Sequence, residues 1–263
     1  MMQQLIDRVM AADYAVIDGV KKTGPAAAPA LDSLASNADP EVRELALVCL
    51  NEIGGVLAIG AFTRALLDPE PTVRAAAMRG LHRHISELGD AAPPDLSTRL
   101  YNAYDRSDDP VLRQNVALIL GKMLTQRSPE LERRWLAEAD EIAQEGCLVA
   151  LARLGHPSAQ NEYVRRLIGA SGPTRVRLLD YGFYVHEPWL LYSLSALLDD
   201  DSIAVRIGVD GIRFMPEYLR ICDLTVVLIA SISSHQFSFP VDRKTNFSDA
   251  QLDEVRKWLT RST

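Results

Sequence analysis

Few residues of this chain have the type and spacing that chemistry requires. His82 and His84 stand two apart, so on a helix they point to different faces and do not share one ion. His156, His186 and His235 stand alone at loops or helix starts, where a histidine caps a helix or faces water. Cys49, Cys147 and Cys222 fall in apolar segments at core spacing, which suits packing thiols rather than nucleophiles. The run Asp199-Asp200-Asp201 has the acid density of a metal site, yet it sits at an inter-helix turn where an acid caps the next helix. Ser231, Ser233, Ser234 and His235 crowd together, but no motif supplies the acid of a hydrolytic set. The chain has no nucleophile elbow, phosphate loop, dinucleotide fingerprint or zinc-protease motif. The expectation is no catalytic residue, no metal and no cofactor.

The elements that hold these residues follow from a recurring phrase: an acid, often a proline, an apolar residue before an arginine, then an apolar stripe. It reads NADPEVRELALVCLNEIG (37–54), DPEPTVRAAAMRGLHRHI (68–85), SDDPVLRQNVALILGKML (107–124), SGPTRVRLLDYGFYV (171–185) and DDDSIAVRIGVDGIRFM (199–215). Its arginines are Arg43, Arg74, Arg113, Arg177 and Arg206, separated by 31, 39, 64 and 29 residues. The interval of 64 holds a degenerate copy, EIAQEGCLVALARLG (141–155), with Gln144 at the arginine position. Asp39 and Asp109 are N-cap residues, and Pro40 and Pro110 occupy the first helical position, where a missing N–H costs nothing. Second apolar segments between the phrases, such as VLAIGAFTRALL (56–67) and EPWLLYSLSALL (187–198), also read as helices, and no segment reads as a sheet. The repeat arginines are expected to form a structural ladder, bridging to acids at neighbouring turns.

The D-P-x-V-R phrase followed by A-x-x-x-L resembles the HEAT repeat, in particular the short bacterial HEAT-like repeats of about thirty residues. The resemblance implies an all-α, right-handed α-solenoid of about six helical hairpins, a single domain over residues 1–263. Residues 1–22 would form an N-terminal cap, residues 25–232 the repeats, and residues 233–263 a loop and a C-terminal capping helix bearing Leu252, Val255, Trp258 and Leu259. The resemblance is specific for architecture and neutral on activity.

It also implies that the second helix of each hairpin lines a concave groove. The stripe beside the core stripe on those helices covers eighteen positions, with three acids and neither lysine nor arginine. Its candidate partner-binding residues are Glu44, Asn51, Met78, His82, Gln114, Glu145, Tyr181, Asp210 and Phe214. A groove for DNA needs bases to neutralise phosphates, so this one has the wrong sign for nucleic acid. Apolar and acidic positions together suit another protein of basic character. Seven of the 17 aromatic residues fall in 181–218, which adds weight to the C-terminal part of the groove.

The whole chain agrees with that sign. Among 263 residues, 28 bases against 35 acids leave a formal charge of −7 and no basic arm. The longest apolar run, Leu224 to Ile232, is too short to cross a bilayer, so no membrane insertion is expected. Three distant cysteines fit a reducing cytoplasm. The sequence therefore leads to a non-enzymatic, cytoplasmic, bacterial protein-binding solenoid: a scaffold, an adaptor or an immunity-type inhibitor. The alternative is a HEAT-like enzyme subunit resembling bilin lyases, which needs a tetrapyrrole pocket that no sequence motif marks. A HEAT-like DNA glycosylase is disfavoured by the groove charge.

Overall fold

The computed structural model describes residues 2–87, 93–206 and 218–262. The chain divides into two compact units, Met1–Ala150 and Leu151–Thr263. The first contains α1 (Met2–Met10), α2 (Ile17–Thr23), α3 (Ala28–Leu34), α4 (Pro40–Ile53), α5 (Gly55–Ala65), α6 (Pro71–His84), α7 (Leu96–Arg106), α8 (Pro110–Met123) and α9 (Pro129–Ala137). The division falls inside α10 (Glu141–Arg153). The second unit continues with α11 (Pro157–Gly169), α12 (Gly172–Val185), the single turn α13 (Leu191–Leu194), strands β1 (Ile203–Arg206) and β2 (Tyr218–Arg220), α14 (Ile221–Ser233) and α15 (Asp249–Ser262).

Helix starts lie where the repeat phrase puts them, because the caps are local. Asp39 accepts the Glu41 N–H at 2.9 Å, and Asp109 accepts those of Val111 and Leu112 at 2.9 and 3.3 Å. Ser128 caps α9 through Leu131 N–H, and the His156 ring caps α11 through Ala159 N–H. At the other end of α4, Gly54 has φ of 72°, a conformation only glycine adopts without strain, and α5 starts at the next residue. Each ladder-bearing helix then buries one apolar stripe. On α4 it is Val42, Leu45, Ala46, Cys49 and Leu50, and α4 packs on both α3 and α6.

The ladder is present with one change of register. Arg43 forms a two-pronged ion pair with Asp68, each bond 2.8 Å, and donates to the Asn37 and Ala38 carbonyls. Arg113 repeats this with Glu138 at 3.0 and 3.2 Å and the Ser107 carbonyl at 2.9 Å. Gln144 keeps the backbone part, donating to the Glu138 carbonyl at 3.3 Å. Arg74 holds the Asp68 and Pro69 carbonyls, while its acid, Asp109, stands 3.9 Å away. The place that Asp68 and Glu138 take two residues before an N-cap, where each accepts the N-cap N–H, is held here by Ser107, so no acid stands at that place for Arg74.

Arg177 does not occupy the rung assigned to it. The rung is Arg175, which pairs with Asp200 and donates to the Ile168 carbonyl at 2.8 Å. The N-cap of α12 is Ser171, and the rung always stands four residues after the N-cap position, as Arg43 does after Asp39. Arg177 lies two residues further on and is exposed. With Gln144 and Arg175 as rungs, the intervals become 31, 39, 31 and 31.

Arg206 keeps the 31-residue spacing but lies in a strand, so the fifth phrase does not begin a helix there. β1 pairs antiparallel with β2, Ile203 opposite Arg220 and Val205 opposite Leu219, with an irregularity between them. The cause is the turn that precedes it. Asp200 bonds to both the N–H and the hydroxyl of Ser202 instead of capping a helix, and the Asp200 and Ser202 carbonyls accept from Cys222 and Ile221 at the start of α14. That pins 200–202 extended, and the β-branched Ile203 and Val205 suit the strand that follows. The segment 187–198, expected as one helix, breaks into α13 flanked by the 3-10 turns Pro188–Leu190 and Ser195–Leu197.

Candidate functional site

The groove stripe lies on α4, α6, α8 and α10 in the first unit and on α12 in the second. Glu44, Asn51, Met78, His82 and Gln114 are half-buried, and Tyr181 is half-buried in its own unit. Glu145 is 7% exposed, and Leu47, Leu148 and Leu178 from the same stripe are core. The stripe is therefore sunk deeper than a free binding face, and Glu145 has too little surface to touch a partner. Asp210 and Phe214 lie outside the described residues.

Close helix approach explains the depth. A Cβ on Gly146 would stand 2.7 Å from the Gln114 Cα, so only glycine lets α10 come this near α8. One helix earlier, the His82 ring bonds Asn115 Oδ1 across α6 and α8 at 2.9 Å, and Lys122 donates to the His82 carbonyl at 3.0 Å. Burial pushes His82 below the ordinary imidazole value, against the Asn115 bond and with the help of Lys122, so the ring is neutral at pH 7. Between α4 and α6, His84 bonds the Asn51 carbonyl at 2.7 Å, and Asn51 Oδ1 is buried without a hydrogen-bond partner. Glu44 faces Tyr14, whose hydroxyl is pushed up by its own burial and by Glu44 and Glu41. The stripe thus offers apolar surface, uncharged polar atoms and the carboxyl group of Glu44, with one orphaned amide oxygen at Asn51.

Potential nucleophiles are sequestered. Cys49, Cys147 and Cys222 are buried, and burial drives their thiols up to about 12, 11 and 11. Cys147 belongs to a network invisible in the repeat pattern: the Tyr104 hydroxyl donates to Glu138 at 2.7 Å and lies 3.4 Å from Cys147 Sγ. The same carboxylate receives Arg113, so one acid ties a rung to the core. Asp199 pairs with Arg256 and Asp200 with Arg175. Among the described residues no three His, Cys, Asp or Glu side chains are grouped to hold a metal. His186 bonds Ser231 at 3.1 Å at the end of α12.

The C-terminal segment packs through aromatic rings and one buried acid. His235 stacks on Trp258 with ring centres 4.8 Å apart, and Phe237, Phe239 and Phe247 continue the contacts. Asp223, 1% exposed, accepts the Arg220 N–H and guanidinium and the Phe247 N–H. On α15, Leu252, Val255 and Leu259 are buried, and Arg256 reaches the Leu198 carbonyl and Asp199. Among the described residues, no helix is long and apolar enough to cross a membrane.

No protein-family model matches this sequence, and no curated protein is similar to it. A solved structure is similar in fold: a chain of the complex of CpcE and CpcF of phycocyanin lyase from Nostoc sp. PCC7120. The identity is 15%, the match covers 98% of this chain and 94% of that one, and the TM-score is 0.57. With the helical hairpins described above, this shows an all-α solenoid fold. It also corrects the expectation of a non-enzymatic scaffold or inhibitor. That expectation rested on a helical repeat without a catalytic motif, and a phycocyanin lyase complex has the same fold, so the missing motif does not argue against an enzyme role.

Proposed function

We propose that this chain is a bilin-lyase-like enzyme subunit of the short HEAT-like type, working with a protein partner to handle a tetrapyrrole. The carrying observation is the whole-chain likeness to the phycocyanin lyase complex, 98% of this chain against 94% of that one, rather than a match of one hairpin pair. The neighbour is a complex of two different subunits, which supports a protein partner here. The half-buried stripe at Asn51, Met78, His82 and Gln114 in the first unit is the proposed contact surface. It has apolar area for a hydrophobic ring system or a partner side chain and lacks the bases of a nucleic-acid groove.

The division of labour follows from the thiols. With its three cysteines buried and protonated, the chain offers no thiolate to a bilin, so any covalent bond forms on the acceptor protein. Its own part is to hold and orient, with His82, lowered by burial below the ordinary imidazole value, among the polar groups of the stripe. The test is co-incubation with an apo-phycocyanin and a bilin, with and without a second subunit of the CpcE or CpcF type, read as a coloured adduct that survives denaturation. Adduct that depends on this chain is expected. Unchanged bilin and no complex with either protein would overturn the reading.

A further inference from the structure

A cleft of about 520 Å³ opens in the first unit, formed by the start of α7, the turn after α8 and the start of α9. None of its lining residues belongs to the stripe, and its size is within the ~300–1,000 Å³ usual for small-molecule sites. Ten of its twelve lining residues are of polar or charged type, and two arginines decide its chemistry. Arg127 is exposed and has no ion-pair partner among the described residues. Arg134 is 8% exposed, and its guanidinium packs on the Tyr101 ring at 4.4 Å.

Arg134 is held from two sides. Its Nε and Nη2 donate to the two Asp105 oxygens and its Nη1 to the Glu130 carbonyl. A guanidinium has five N–H groups, so two remain on a cation that is more than nine-tenths buried and lines the cleft. Around them stand the hydroxyls of Ser97, Thr98 and Tyr101 and the amide of Asn102. Asp95 adds nothing to oppose a ligand at the helix start, because its carboxylate is engaged by Arg99 at 2.8 Å and makes no cap.

We infer that this cleft binds the carboxylate of a small polar molecule, gripped between Arg127 and Arg134. Asp105 behind Arg134, and Glu130 in the lining, balance the two guanidiniums. Recognition therefore rests on directed donors rather than on excess positive charge. That favours a flat, singly charged acceptor matching the guanidinium fork over a phosphate dianion, which the two acids repel.

The test uses the full-length protein, with amide resonances followed by NMR during titration with propionate and, separately, inorganic phosphate at constant ionic strength. Saturable shifts of Ser97 and Thr98 with propionate are expected, weakened about tenfold or more by Arg127→Gln and unchanged by Arg133→Gln on the same helix as Arg134. A bilin with free propionates that displaces propionate identifies the carboxylate as the tetrapyrrole's own. A bilin that leaves it in place identifies a separate small carboxylate, and the site stands in either case. Non-saturable shifts, phosphate binding as tight as propionate, or unaltered binding by Arg127→Gln would overturn the inference, whatever the outcome of the adduct assay.

Discussion

At the scale of single residues, burial decides which groups are available for chemistry. The three thiols are raised by desolvation, with Glu52 adding to the effect at Cys49 and Asp223 at Cys222. An aromatic disulfide reagent at pH 8 should therefore leave the native protein unmodified over minutes and report three thiols once the chain is denatured. A single fast thiol in the native state would contradict the assignment. Asp223 shows the opposite use of burial, a charge kept inside because it is fully engaged by Arg220 and Phe247. Removing it strands the Arg220 guanidinium, and Asp223→Ala should lower the unfolding free energy by about 3 kcal/mol or more, measured by urea titration.

At the scale of elements, the ladder ties each helix start to the turn that precedes or follows it. Arg43 and Asp68 are only 13% and 10% exposed at the side chain, and their pairing is two-pronged. Arg43→Ala is expected to cost about 2–3 kcal/mol. The register is checked by a matched pair: Arg175→Ala should destabilise by about 1–3 kcal/mol, and Arg177→Ala, at an exposed position, by about 0.5 or less. Equal effects would restore the spacing read from the V-R dipeptide.

The same rungs set the response to acid. Burial works to raise Asp68, Glu138 and Asp200, yet all three lie below their ordinary values. Arg43 and the Glu70 N–H hold Asp68; Tyr104, the Asp140 N–H and Arg113 hold Glu138; Ser202 and Arg175 hold Asp200. A carboxyl depressed in the folded state stabilises fully above its unfolded value, here 3.8 for Asp and 4.5 for Glu, and loses that stabilisation as pH falls through the folded value. The stabilisation these three carboxylates supply should thus be constant above pH 5 and fall below about pH 4. Arg43→Ala should make that fall shallower, because it removes one of the depressed groups.

At the scale of the whole molecule, helices that cover apolar ends matter more than their own propensity. α15 buries Leu252, Val255 and Leu259 while carrying exposed charge on its other side. We expect that ending the chain at Ser248 lowers the melting temperature and increases association through the uncovered apolar surface. A truncated protein that stays monomeric and melts unchanged would make this helix an appendage. The proposed role also belongs to this scale, since it rests on a likeness of fold over 98% of the chain and on no single residue.

The sequence by itself determined the class of fold and most helix starts. Caps such as Asp39, Asp109 and His156 act on N–H groups two or three residues away, and the apolar stripe of α4 repeats within a single helix. Both signals are local, so they are readable in order along the chain. Tertiary structure decided what depends on residues 25 or more positions apart. Whether Arg175 or Arg177 is a rung depends on where Asp200 stands, and Asp200 is in turn fixed by its bonds around the start of α14. The ribbon at Ile203–Arg206 replaces a helix for the same reason. The stripe from Glu44 to Glu145 was legible as a row but not as a half-buried one, since its depth is set by how closely α8 and α10 approach at Gly146. The cleft at Arg127 and Arg134 left no periodic trace at all, because it is assembled from the start of one helix, a turn and the start of another, and only packing brings these together.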